Sequence, residues 1–262
     1  MKATILSNHP VAEGYYRLAF RLSHPSATVE PGQFFMVRPV SDSEYDPLLP
    51  RPFSVYRNPS PGEVEILYKV IGRGTEILSG KREGDLLHAT GPFGNTFPLP
   101  AAGETQEILL VGGGIGVAPL VNLVEALRRT SGEIPLIAFI GGRTRDDLLA
   151  VDDFIDMGCR VISATEDGSI GIRGYVTEAL ERHLSEGKRR RIVYACGPHP
   201  MLKALANLLL PTGIPAYFSL EAVMACGMGL CMGCAERGIV EKYPLVCQDG
   251  PVFRADAIQW NR

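Results

Sequence analysis

Glu107-Ile108-Leu109-Leu110-Val111-Gly112-Gly113-Gly114-Ile115-Gly116-Val117-Ala118-Pro119 decides the fold of the middle of this chain. A short buried strand runs into a glycine cluster, and a helix follows from about Val117 to Arg129. Strand, glycine turn and helix N-terminus in that order present backbone N–H groups to an anion. The spacing is not a strict GxGxxG, so it carries no ordinary dinucleotide fingerprint. The rhythm continues downstream, with strands expected at 136–140, 160–164 and 191–196 and helices at 145–154, 175–184 and 198–209. Alternating strands and helices predict a doubly wound parallel α/β sheet over residues 101–215.

The flanks read differently. Residues 1–100 hold β-branched and aromatic runs at 15–22, 33–38, 52–56 and 64–70, punctuated by Pro31-Gly32, Pro61-Gly62, Gly72 and Gly74. Short strands at that spacing predict a small antiparallel β-barrel. Residues 216–262 contain four cysteines and few apolar runs, too short a piece for a core of its own, so a metal is expected to hold it together. The chain is therefore expected to be an α+β multi-domain protein: barrel, nucleotide-type α/β domain and small C-terminal subdomain.

A formal net charge of -3 gives no basic footprint for nucleic acid. The one basic run, Lys188 to Arg191, reads as a solvated turn. The longest uncharged stretch, Ile108 to Val124, is broken by glycines and Pro119 and falls short of the roughly 20 apolar residues of a membrane span. No apolar core of signal-peptide type follows Met1, so no membrane association and a cytoplasmic location are expected.

The cysteine spacing is the most specific chemistry in the sequence. Cys226-x4-Cys231-x2-Cys234, with Cys247 further on, is the plant-type [2Fe–2S] pattern. Gly227, Gly229 and Gly233 allow tight turns that aim N–H groups at sulfur. Met224, Ala225, Met228, Leu230 and Met232 are expected to shield the cluster from water. The competing assignment is a structural zinc with four cysteine ligands, which usually shows paired CxxC knuckles where this sequence has one. Cys159 and Cys196 lie far away and are not expected to be ligands.

In the first hundred residues, Arg51-Pro52-Phe53-Ser54 offers a planar cationic fork and a hydroxyl that can donate and accept. Lys69-Val70-Ile71-Gly72-Arg73-Gly74-Thr75 leads into a short helix, with Thr75 as the expected cap. Gly91-Pro92-Phe93-Gly94 reads as the turn that closes the barrel. These three stretches, in this order and ahead of an α/β domain, resemble the ferredoxin–NADP reductase superfamily over residues 1–215. The resemblance implies that Arg51, Pro52, Phe53 and Ser54 hold an FAD, which Leu67, Tyr68, Lys69, Gly74 and Thr75 also line. It likens Gly112, Gly113, Gly114 and Gly116 to the superfamily's nicotinamide-dinucleotide loop. It also places Cys196-Gly197-Pro198 beside the nicotinamide, so Ser54 and Cys196 become the candidate catalytic residues. Asp146 and Asp147 would repel a 2′-phosphate that Arg143 and Arg145 could attract, and NAD is favoured over NADP.

The tail narrows the comparison. Ser219 to Cys234, with Val246-Cys247-Gln248-Asp249-Gly250-Pro251-Val252-Phe253, resembles the electron-transfer subunits of bacterial type B dihydroorotate dehydrogenase over nearly the whole length. That resemblance implies [2Fe–2S] ligation by Cys226, Cys231, Cys234 and Cys247. It also implies a partner, an FMN-containing catalytic subunit, with two copies of each chain. Electrons from dihydroorotate oxidation would reach NAD+ through the cluster and the FAD. The alternatives are another flavin/iron–sulfur oxidoreductase subunit, such as an NAD(P)H–ferredoxin or sulfide-linked reductase, and a non-enzymatic zinc-stabilised binding module.

Overall fold

The computed structural model describes all residues except 25–27, 41–43, 102, 131, 133, 188 and 261–262. Six strands come first: β1 (Lys2–Ala12), β2 (Tyr15–Leu22), β3 (Phe34–Arg38), β4 (Arg51–Arg57), β5 (Glu63–Lys69) and, after the short helix α1 (Arg73–Ser79), β6 (Leu86–Phe93). They close an antiparallel barrel in the order β1-β2-β5-β4-β3-β6. Strand alternation separates two environments. Phe35, Val37, Val55, Ile66 and Leu18 fill the barrel, while Phe34 and Met36 on the other face of β3 pack into the core shared with the C-terminal tail.

Two barrel strands, β1 and β6, lie outside the runs that the sequence marks. β1 carries Asn8, His9 and Pro10, and it tolerates the proline because the register shifts between Pro10 and Ala12. Its outer half is mostly exposed, so no apolar alternation signals it.

The second sheet is built from β7 (Glu107–Gly113), β8 (Leu136–Gly142), β9 (Arg160–Thr165), β10 (Ile172–Arg173), β11 (Arg191–Cys196), β12 (Ala216–Ser219) and β13 (Val252–Arg254), in the order β10-β9-β8-β7-β11-β12-β13. All neighbours are parallel except β13, which runs antiparallel to β12. Helix α2 (Ala118–Thr130) covers the face that carries Ile108, Leu110, Ala138 and Ile140. Helices α4 (Val176–Ser185) and α5 (His199–Leu209) cover the opposite face, with Leu109, Val111, Ile137 and Val193.

Two sequence expectations change here. The single helix over 145–154 is instead a one-turn 3-10 helix at Arg145–Asp147 and a separate α3 (Val151–Asp156). Ala150 adopts a left-handed conformation between them, and the buried Leu149 sits at that break. The tail has no core of its own, as its length predicts: β12 and β13 extend the sheet, and Leu245, Val246, Phe253, Ile258 and Trp260 join its core. The basic run is not simply solvated. Arg191 and Arg189 bind the buried carboxylate of Glu107 at 2.8 and 3.1 Å, and His183 binds it at 3.0 Å. Burial alone would raise the Glu107 pKa, but the His183 and Arg191 bonds outweigh it and hold the group below its usual value. Lys188 lies outside the described residues.

Barrel and sheet are joined by buried and half-buried polar contacts. Tyr56 and Arg57 both donate to Asp153 at 2.6 Å, and Tyr15 donates to Asp147 at 2.7 Å. Among the described residues, no helix is long and apolar enough to cross a membrane.

Candidate functional site

Two cavities meet between the barrel and the sheet. The first, about 630 Å³, lies beyond the carboxyl ends of the parallel strands. In a doubly wound sheet, ligands bind there, where the strand order reverses. That reversal falls between β7 and β11. Gly113, Gly114 and Ile115 at the end of β7 line the cavity, with Gly142 and Arg143 at the end of β8 and Pro198 after β11. Gly112, Gly116, Cys196 and Gly197 stand behind this surface. A side chain at Gly116 would collide with the backbone of Cys196 and Gly197, so Gly116 is what lets the glycine loop and the β11 turn touch.

Cys196 is buried and lines neither cavity. Burial pushes its thiol pKa far up, which keeps it protonated. Here it is a packing residue under the loop. Asp147 lines the first cavity and has a second job that the sequence does not show. It accepts from Tyr15 Oη, and its other oxygen accepts from the Arg143 backbone N–H at 3.2 Å, so it ties the β8 turn to the barrel. Burial alone would raise its pKa, but the Tyr15 bond and the nearby Lys69 hold it below its usual value.

The second cavity, about 530 Å³, opens on the barrel. Arg51, Pro52, Phe53, Ser54, Leu67, Tyr68, Lys69, Gly74 and Thr75 all line it, so all nine residues implied by the reductase resemblance gather in one place. The Arg51 guanidinium packs over Gly74 and has no carboxylate partner among the described residues, which suits it to a phosphate. Thr75 sits at the third position of α1, inside the helix. Its hydroxyl accepts from Ile71 and Gly72 N–H at 3.0 and 3.2 Å and donates to Gly72 O at 2.8 Å, so it shapes the turn from within.

Lys69, Ile115 and Glu221 line both cavities and mark where they join. Lys69 donates to Tyr15 Oη at 2.7 Å. Glu221 is exposed at this junction and has no hydrogen-bond or ion-pair partner among the described residues; partial desolvation raises its pKa. No sequence signal marks Tyr15 or Glu221, because each acts through its neighbours in space.

The four cysteines lie on a stretch, 220–251, that contains no helix or strand. Cys234 and Cys247 are buried, Cys226 is half-buried and Cys231 is exposed. Backbone N–H groups are aimed at sulfur: Gly229 to Cys247 at 3.1 Å, Cys247 to Cys234 at 3.4 Å and Met228 to Cys226 at 3.5 Å. The N–H groups of Met228 and Cys231 bring the Cys226 pKa down to about 6, whereas burial and the neighbouring Cys234 push Cys247 up to about 12. A loop of thiols supplied with N–H donors fits an iron–sulfur cluster, whose sulfurs are tuned by such bonds. Among the described residues, no group of three or more His, Cys, Asp or Glu is arranged to hold a single metal ion. The expected apolar shield is only partly there: Met224 is buried, but Met228, Leu230 and Met232 are exposed, as are Val223 and Val240.

The family described as "Iron-sulfur cluster binding domain of dihydroorotate dehydrogenase B" matches residues 221–259, and the "Oxidoreductase NAD-binding domain" matches 110–207. The "Dihydroorotate dehydrogenase B (NAD(+)), electron transfer subunit" of Caldanaerobacter subterraneus subsp. tengcongensis is 40% identical over 261 residues, 98% of either chain. That of Desulforamulus reducens is 35% identical over 264 residues, 99% of this chain and 98% of its own. This chain belongs to the dihydroorotate dehydrogenase B electron transfer subunit family.

Among solved structures, an NADH-dependent reduced ferredoxin-NADP oxidoreductase studied for flavin-based electron bifurcation is 29% identical, with a TM-score of 0.85 over 98% of this chain and 89% of that one. The ferredoxin reductase of carbazole 1,9a-dioxygenase, in an FAD apo form, is 27% identical with a TM-score of 0.65, covering 83% of this chain and 66% of that one. Membership of an iron–sulfur family overturns the zinc-stabilised module as an alternative. In a dihydroorotate dehydrogenase B electron transfer subunit, the cysteine stretch is the iron–sulfur segment and the glycine loop opens the NAD-binding domain.

Proposed function

We propose that this chain is the electron-transfer subunit of a cytoplasmic NAD-linked dihydroorotate dehydrogenase. It carries electrons released by dihydroorotate oxidation at the FMN of a catalytic partner subunit to NAD+, with two copies of each chain in the assembly. Its cofactors are FAD, a [2Fe–2S] cluster and NAD. When bound, the flavin supplies the exchange between a two-electron hydride and single electrons, which neither nicotinamide nor a [2Fe–2S] cluster can make alone.

One observation carries the proposal. The flavin-type and dinucleotide-type cavities join at Lys69, Ile115 and Glu221, and the four-cysteine stretch packs into the same core as the strand beside the flavin cavity. Arg51 would hold the flavin's phosphates, and Ser54 would orient its ring by hydrogen bonding. Gly113 and Gly114 would bring backbone against the dinucleotide and Pro198 would line the same site, with Gly112, Gly116, Cys196 and Gly197 shaping the wall behind. Cys226, Cys231, Cys234 and Cys247 would ligate the cluster. The Tyr15–Asp147 and Tyr56–Asp153 bonds hold barrel and sheet in register, so the two cavities keep facing each other.

The test is reconstitution with an FMN-containing catalytic subunit. Dihydroorotate and NAD+ should yield NADH only when both chains are present. NADH formation by the catalytic subunit alone, or none by the pair while this chain still reduces a ferredoxin with NADH, would contradict the proposal.

A further inference from the structure

The cysteine-bearing tail is anchored to the barrel by two residues that neither cavity uses. Asn95 follows the Gly91–Gly94 stretch, which the sequence shows only as a turn. Its backbone N–H donates to Gly250 O at 2.7 Å. Its Nδ2 donates to Asp249 O at 2.8 Å and Val252 O at 2.9 Å, and its Oδ1 accepts from Val252 N–H at 3.0 Å. One side chain thus satisfies three backbone groups in the segment just after Cys247. The turn that carries it is itself held by Gln33, whose Nε2 donates to Gly94 O at 3.2 Å.

The second anchor is Met36, buried on β3. Its side chain lies against Gly227, next to Cys226. Gly227 has φ +73°, and a Cβ there would stand 2.5 Å from Met36 Cγ and 2.8 Å from its sulfur, so the tail's backbone rests directly on the thioether. In register, Met36 faces Pro52 and Phe34 faces Ser54 on the strand that lines the flavin cavity. Phe34 lines that cavity and shares a core with Cys234 and Cys247. Two independent anchors therefore fix the cysteine segments relative to the flavin strand, one on each side of the loop.

We propose that Asn95 and Met36 are positioning residues for one-electron exchange, clamping the two cysteine-bearing segments at a fixed separation from the flavin cavity. This rests on the function proposed above. In the step concerned, one electron leaves the flavin reduced by a nicotinamide hydride donor, and one ferric ion of the cluster becomes ferrous. No bond between heavy atoms forms or breaks. The rate of such a transfer falls steeply with separation, whereas hydride transfer from the dinucleotide would take place where the two cavities join, and Asn95 and Met36 line neither cavity.

The experiment uses the full chain, loaded with flavin and cluster and mixed anaerobically with NADH in a stopped-flow instrument. In Asn95→Ala, flavin bleaching should stay within about twofold of the unsubstituted chain, while cluster reduction slows by about tenfold or more, as small misplacements of reacting groups do. Freeze-quenched electron paramagnetic resonance follows the reduced cluster directly, and iron release to a chelator should quicken. Met36→Ala should show the same split, and Met36→Leu, which nearly conserves volume, should restore the rate. A merely structural role would lower the melting temperature and cluster content, yet leave the rate in loaded chains unchanged. That result in both alanine variants overturns the proposal, as does equal slowing of flavin bleaching. A wild-type chain whose cluster NADH never reduces would overturn the functional proposal as well, and it shows before any variant is made.

Discussion

The two cavities and the cysteine loop are built on opposite principles. The cavities are framed mainly by strands and helix starts whose positions are fixed by a barrel and a seven-stranded sheet, with the two ends of the loop, residues 220–224 and Pro251, closing one side of the flavin cavity. The loop has no regular element between Leu220 and Pro251. It is held by N–H···S bonds, by Asn95 and Met36, and by whatever its cysteines ligate. The cavities are thus properties of the fold, whereas the loop is a property of its ligands and anchors. Exposure follows the same divide: Met228, Leu230, Met232, Ile239, Val240 and Tyr243 face outward around the loop, where a partner would cover them.

That contrast can be broken most severely at a ligand. Cys231→Ser should abolish cluster loading and electron delivery to a one-electron acceptor, while flavin content and NADH-driven reduction of a soluble two-electron dye persist. Loss of dye reduction with flavin still bound would mean that the cavities depend on the loop after all.

A smaller effect is expected beneath the sheet. Glu107→Gln strips the buried Arg191 and His183 of their shared anion and should cost about 3 kcal/mol, read from denaturant unfolding. The folded pKa of Glu107 is depressed, so its contribution is present above the unfolded value of about 4.3 and disappears as pH falls toward the folded one. The stability gap between wild type and variant should therefore narrow below that pH. A gap independent of pH would show that packing, not charge, carries the network.

Arg51→Ala should weaken flavin retention by about 2 kcal/mol, the worth of a charge-assisted hydrogen bond, in titrations of apoprotein with FAD. Unchanged affinity would remove Arg51 from the flavin site. Least of all, Leu230→Ser and Val240→Ser should leave the free chain's stability within about 0.5 kcal/mol, as exposed substitutions do. Each should still weaken assembly with the catalytic subunit in analytical centrifugation. If assembly is untouched, the exposed apolar rim serves something else.

The same divide explains what the sequence made legible. Glu107 to Pro119 spelled a strand, a glycine turn and a helix, because burial on both faces of a parallel strand leaves a continuous apolar run. The nine residues that the reductase resemblance implies for a flavin were legible through that resemblance, and all nine line one cavity. The β1 strand was not, since its outer half is polar and interrupted by Pro10. The break at Ala150 was hidden because Leu148 and Leu149 continue a helical apolar pattern through a left-handed residue. Tyr15, Glu221 and Asn95 were invisible for a simpler reason: each is an ordinary residue locally and acquires its role from groups far away in sequence. Cys196 shows what a motif leaves out, since the sequence does not tell that its thiol is buried behind the loop.

The most direct test is the visible spectrum of anaerobically purified protein, with iron, sulfide and flavin assayed on the same sample. Flavin bands over broad cluster absorption, with about two irons and two sulfides per FAD, are the predicted result. A colourless protein, or one carrying zinc in place of iron, would contradict the account at its centre.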